Sequence, residues 1–168
     1  EEALSNINNA IKLMPNNYVY RFFKADLLKD LGNFNQSISI LLDLYSDENS
    51  NDKKDILLML STVKRLDKKF NEAEKILLEI IKQCPNFSQA YLNLSDLYFD
   101  NKLLIKAKNI ALRGFSINSG IPELLVNLGV ICRNLGEIKE SKKYFLRALS
   151  INKKLFKCYN DLSSFYDF

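Results

Sequence analysis

Between residues 125 and 149 the apolar positions change face once. Leu125, Leu128, Gly129 and Cys132 follow the i, i+3, i+4, i+7 spacing that puts side chains on one face of a helix. After a break at Gly136-Glu137, Ile138, Ser141, Phe145, Ala148 and Leu149 form a second stripe of the same kind. The spacing predicts two amphipathic helices of roughly 13 residues each, joined by a tight turn.

The pattern recurs along the chain. Residues 125–153 overlie 91–119 at an offset of 34, with Leu128-Gly129 on Leu94-Ser95, Cys132 on Tyr98, Ser141 on Ala107 and Ala148 on Gly114. The same step back to 57–85 brings Leu60-Ser61, Phe70, Ala73 and Leu77 into register, and the step forward starts a further copy at Leu162-Ser163. Residues 21–45 align through Ala25, Gly32, Phe34, Ser37 and Leu41 at an offset of 36, the two extra residues falling in the polar stretch 46–52. Residues 1–17 supply a second half only, with Ala3, Ile7, Ala10 and Pro15 in place.

These residues closely resemble the tetratricopeptide repeat family, whose pattern is an aromatic, Leu-Gly, Tyr, Ala, Phe, Ala and Pro over 34 residues. The matching residues include Tyr91, Leu94 and Tyr98; Ala73 and Pro85; and Leu128-Gly129, Phe145 and Ala148. Arg21, Leu57 and Leu125 depart from it, standing where the family often has an aromatic, and tryptophan is absent. The resemblance implies an all-α fold, an α-solenoid of antiparallel helix pairs wound into a right-handed superhelix with the first helices lining its concave side. One solenoid is expected over 1–168: a half-repeat at 1–17, repeats at 18–53, 54–87, 88–121 and 122–155, and a partial repeat at 156–168.

Local residue choices agree with this reading. Gly129, Ala25, Ser61, Ser95 and Ser163 are all small at one point of the first helix, where close helix approach forbids a larger side chain. Gly136 and Gly32 lie where a first helix ends and a left-handed residue often follows; Asn101-Lys102 and Asp67-Lys68 must make the same turn with less suitable residues. A lone hairpin of this kind cannot bury both apolar faces, so the copies must stack. Phe165, Tyr166 and Phe168 have no following helix to cover them, and the chain starts mid-helix without methionine. Both features point to a piece of a longer protein, or to self-association through the uncapped last helix.

Composition narrows the chemistry. The net charge is +4, but acids and bases are interspersed and no basic block occurs, which argues against a nucleic-acid partner. The pairs Lys53-Lys54, Lys68-Lys69, Lys142-Lys143 and Lys153-Lys154 are expected at helix ends, where cations satisfy terminal carbonyls. Histidine is absent, and Cys84, Cys132 and Cys158 show no metal-ligand spacing, so neither a metal nor a cofactor is expected. The cysteines have core-like or helix-end positions, and free Cys commonly behaves as a small buried hydrophobe, Cys132 being the clearest case. No phosphate loop or nucleophile elbow appears, and a catalytic role is not expected of these residues. Without a signal peptide or an apolar run of membrane-spanning length, the chain is expected in the cytoplasm and not in a membrane.

Function must then lie on the free face of the first helices. In the resembled family that concave groove holds an extended peptide or a partner protein. The residues just off the packing stripe are Gln89, Leu92, Asn93, Asp96 and Phe99 on one first helix; Glu123, Val126, Asn127, Val130 and Arg133 on the next; and Lys157, Asn160, Asp161 and Ser164 on the last. Phe22, Asp26 and Lys29, with Leu58, Thr62 and Arg65, are their upstream counterparts. The chaperone-tail clamp of the family needs Lys and Asn, then Asn, then Lys and Arg on successive helices, and neither the register starting at Phe22 and Asp26 nor the one starting at Leu58 and Thr62 provides them. Asn93 and Asn127, followed by Asp161, resemble part of the asparagine ladder of O-linked N-acetylglucosamine transferases, while Phe23 and Met59 break it upstream. The expectation is a peptide- or protein-binding module within a longer scaffold protein, with the substrate-docking arm of a larger glycosyl- or sulfotransferase as the alternative.

Overall fold

The computed structural model describes residues 2–47 and 53–163. Its helices in chain order are α1 (Glu2–Leu13), α2 (Tyr18–Asp30), α3 (Phe34–Ser46), α4 (Lys53–Leu66), α5 (Phe70–Gln83), α6 (Ser88–Asp100), α7 (Leu104–Ile117), α8 (Pro122–Asn134), α9 (Ile138–Ile151) and α10 (Phe156–Ser163). No strand occurs among the described residues, so the fold is all-α. The chain divides into two compact units, Glu1–Ile80 and Ile81–Phe168. In the first, α1 packs on α2, α2 on α3 and α3 on α4. In the second, α6 packs on α7, α7 on α8, α8 on α9 and α9 on α10, while α6 also touches α8. Each unit is a stack of helical hairpins.

One turn is used four times. Gly136 N–H donates to the Arg133 carbonyl at 3.0 Å and Glu137 N–H to the Cys132 carbonyl at 2.9 Å, the paired bonds that close a helix on a left-handed residue. The same two bonds recur around Gly32, Lys68 and Lys102. Their φ angles are +75° at Gly32, +77° at Gly136, +59° at Lys68 and +62° at Lys102. A side chain in this conformation places Cβ against the following carbonyl, a penalty of about 1–2 kcal/mol that glycine escapes. Lys102→Gly is therefore expected to stabilise the second unit by about 0.5–1 kcal/mol, once the entropy that glycine loses on folding is set against the relieved strain. A urea titration that finds no gain would mean the Lys102 turn is not strained.

The helix crossings carry a feature the spacing did not announce. Ser141 Oγ donates to the Gly129 carbonyl at 2.7 Å, Ser37 Oγ to the Ala25 carbonyl at 2.7 Å, and Ser95 Oγ to the Ala107 carbonyl at 3.0 Å. Two small residues meet at each of these crossings, and whichever is serine reaches the other helix's backbone. All three serines are fully buried, so the bonds satisfy hydroxyls that would otherwise be left without partners. Ser61 bonds within its own helix instead, to the Leu58 carbonyl at 2.7 Å.

The tightest of the glycine positions is Gly129, where an added Cβ would stand 2.6 Å from the Phe145 ring. Phe145 is fully buried in a cluster with Leu125, Val126, Ala148, Leu149, Cys158 and Leu162, drawn from α8, α9 and α10. In the first unit Ala25, Ile38, Leu41, Leu44, Ile56, Leu60 and Val63 form the corresponding cluster. Arg21, at a position often aromatic, is paired instead with Asp43 of α3.

Three expectations need correcting or setting aside. Ser163 is exposed at the end of α10 and bonds the Asn160 carbonyl, so it marks no close helix approach among the described residues. Lys142-Lys143 lie inside α9, and Lys53-Lys54 begin α4, where helix-terminal carbonyls are absent. Lys53 instead stands 5.6 Å over the Tyr45 ring. Residues 48–52 of the polar insertion, and Ser164, Phe165, Tyr166 and Phe168, lie outside the described residues.

Candidate functional site

In the second unit the first helices α6, α8 and α10 are linked side by side by polar pairs. Asn127 Nδ2 of α8 donates to Asp96 Oδ1 of α6. Arg133 of α8 donates from its guanidinium to Asp161 Oδ1 of α10 at 2.7 Å. Asn93 Oδ1 accepts from Gln89 Nε2 at 3.3 Å, one turn earlier on the same helix. Asn127, Asp96, Arg133 and Asp161 are all half-buried.

A cavity of about 300 Å³ opens on this face, lined by Leu92 and Asp96 of α6, Glu123, Val126 and Asn127 of α8, and Leu155 just before α10. Leu92 and Val126 are 8% and 9% exposed, so they form an apolar floor rather than projecting ridges. Leu155 is half-buried, and Glu123, exposed in the first turn of α8, is among the lining residues. Of the residues singled out from the sequence on these helices, the cavity brings together Leu92, Asp96, Glu123, Val126 and Asn127. Asn93, Phe99, Val130, Arg133, Asn160 and Asp161 do not line it. Val130 packs on the core cluster around Phe145, and Asn160 is exposed. Leu155 carried no signal in the sequence, because it precedes the helix whose periodicity marks the face.

The upstream counterparts are placed differently in the first unit. Phe22 stacks on Tyr18 with ring centroids 5.6 Å apart, Lys29 pairs with Asp26 and Asp30, and Thr62 bonds the Leu58 carbonyl. A polar cavity of about 330 Å³ lies beside the hairpin turns, lined by Gly32, Asn33, Phe34, Asn35, Gln36 and Asp67.

Other reactive groups are structurally engaged. Cys132 and Cys158 are buried and Cys84 is exposed. Burial, with Glu137 nearby, pushes the Cys132 thiol up to about 11, so at neutral pH it is protonated and a poor nucleophile. Glu137 is held below the usual carboxylate range by its hydrogen bond with Lys108 and then by Cys132. No group of three or more His, Cys, Asp or Glu that could hold a metal ion occurs among the described residues. No helix among them is long and apolar enough to cross a membrane.

Stacked hairpins closed by a repeated left-handed turn, with small residues at the crossings, form a tetratricopeptide-repeat fold. Residues 122–155 match the family model described as tetratricopeptide repeat. The fold is similar to that of TTC0263, a thermophilic protein of this class from Thermus thermophilus, with a TM-score of 0.80 at 17% identity over 96% of this chain and 88% of that one. It is also similar to YrrB, described as having an unusual peptide-binding site, with a TM-score of 0.66 at 14% identity over 96% of this chain and 82% of the other. In sequence, 97 residues are 28% identical to the human protein O-mannosyl-transferase TMTC3, covering 57% of this chain and 11% of that protein. The chain thus spans about a tenth of the length of this curated relative.

Proposed function

We propose that the protein is an interaction module that holds an extended peptide of a partner protein against the α6–α8–α10 face. The observation that carries this reading is the cavity of about 300 Å³, in which an apolar floor is bordered by carboxylates and an amide. That combination suits a peptide whose side chains enter a pocket while neighbouring polar groups hold its backbone. The peptide-binding site described for YrrB, on a similar fold, supports the same reading. The likeness to the O-mannosyl-transferase is compatible with a docking arm on a larger enzyme and does not favour it.

Asn93 and Asn127 are the proposed backbone holders. An asparagine amide has two N–H donors and one accepting oxygen, so the bond from Asn127 to Asp96 leaves hydrogen-bonding capacity for a ligand. Asn93→Ala combined with Asn127→Ala is expected to weaken binding of a peptide selected from a random display library by about tenfold, the effect of losing two hydrogen bonds. Fluorescence anisotropy measures the affinity, and an unchanged far-UV circular dichroism spectrum verifies the fold. Equal affinity in the double variant would remove these asparagines from the site.

A further inference from the structure

We infer that the cavity between α6 and α8 takes the side chain of a lysine or arginine in the bound peptide. This rests on the peptide-binding reading above and names what this part of the face selects. Leu92, Val126 and Leu155 offer apolar walls, Asp96 and Glu123 bring two carboxylates, and no cation is among the described residues lining the space. A long methylene stem ending in a positive charge matches both features at once: the stem covers the apolar wall and the head reaches the acids. The bond from Asn127 fixes the Asp96 carboxylate at the wall instead of leaving it to turn into solvent.

Charge is sorted in this unit. Residues 81–168 carry thirteen Lys and Arg against seven Asp and Glu, so an acidic cavity runs against the overall balance. Seven of the thirteen bases lie on the second helices, with Lys106, Lys108 and Arg113 on α7 and Lys139, Lys142, Lys143 and Arg147 on α9, while Lys153, Lys154 and Lys157 flank Leu155 in sequence. Helix α6 has two acids and no base. Arg133, the base of α8, is ten residues beyond Glu123, about 15 Å along the axis, and is paired with Asp161. It does not neutralise the cavity. An acidic side chain would meet like charge there, and a purely apolar one would desolvate the carboxylates without pairing them.

The test pans a random phage-displayed peptide library against the immobilised chain. Enriched peptides are expected to share a lysine or arginine at one position. Replacing it with norleucine, which keeps the stem and removes the charge, should lower affinity about ten- to hundredfold, the loss typical of a hydrogen bond between charged groups. Glu123→Gln, a near-isosteric change in the first turn of α8, should weaken the lysine peptide severalfold and leave the norleucine peptide unchanged. Suppose enriched peptides lose binding to the Asn93→Ala, Asn127→Ala double variant but share no basic residue, or bind equally with norleucine. The inference then fails while the peptide-binding reading stands. If no peptide is enriched over an uncoated surface, the peptide-binding reading fails and takes the inference with it.

Discussion

Phe145→Ala should destabilise the second unit by about 3–5 kcal/mol, the range for removing a fully buried aromatic ring from a packed core. The ring sits in the cluster where α8, α9 and α10 meet, and its edge lies against the Gly129 backbone. Its removal opens a cavity that three helices border, and none can close it without leaving its crossing position. The loss should also be local, because stacked repeats are stabilised mainly by contacts with their neighbours. Amide hydrogen exchange should accelerate in α8, α9 and α10 while α2, α3 and α4 keep their protection. A uniform loss of protection along the chain would contradict that nearest-neighbour account.

The second large effect concerns the other side of the same contact. Gly129→Leu is expected to destabilise by about 1–3 kcal/mol or more through overpacking, read as a lower urea midpoint. The geometry explains the sign: even the first carbon of a side chain would stand 2.6 Å from the Phe145 ring, inside van der Waals contact. The ring cannot swing away cheaply, because it is buried on every side. The two positions should therefore couple. Gly129→Ala should cost less in a Phe145→Leu background than in the native one, and the non-additivity of that double-mutant cycle measures the contact. Additive effects would mean that the clash at Gly129 is with something other than this ring.

Much of this architecture is legible in the sequence, for a physical reason. Helical periodicity is a local property of the chain, so the stripes through Leu125–Cys132 and Ile138–Leu149 mark helices wherever they are found. The turns are legible on the same grounds. A left-handed residue is needed just past each first helix, which points to Gly136, Gly32 and the pairs Asp67-Lys68 and Asn101-Lys102, and among the described residues positive φ falls on Gly32, Gly136, Lys68 and Lys102. Lys68-Lys69 and Lys153-Lys154 lie just past the ends of α4 and α9, whereas Lys142-Lys143 lie inside α9, because a charge run by itself names no helix boundary.

The candidate site was only half visible. Reading one helix at a time identifies which residues leave the packing stripe, and that reading named Asp96, Asn127, Arg133 and Asp161. It cannot show that Asp96 meets Asn127, or Arg133 meets Asp161, because those partners lie 31 and 28 residues apart and are joined only when first helices pack side by side. The same holds for the serine bonds across the crossings and for Leu155, which becomes part of a cavity only once α6 and α8 bring the other five residues to it. The linear pattern thus decided the hairpin, its turn and its small crossing residue, all consequences of backbone geometry within a few dozen residues. Packing of one hairpin on the next decided which polar side chains are committed to each other and where an apolar floor with two carboxylates stays open.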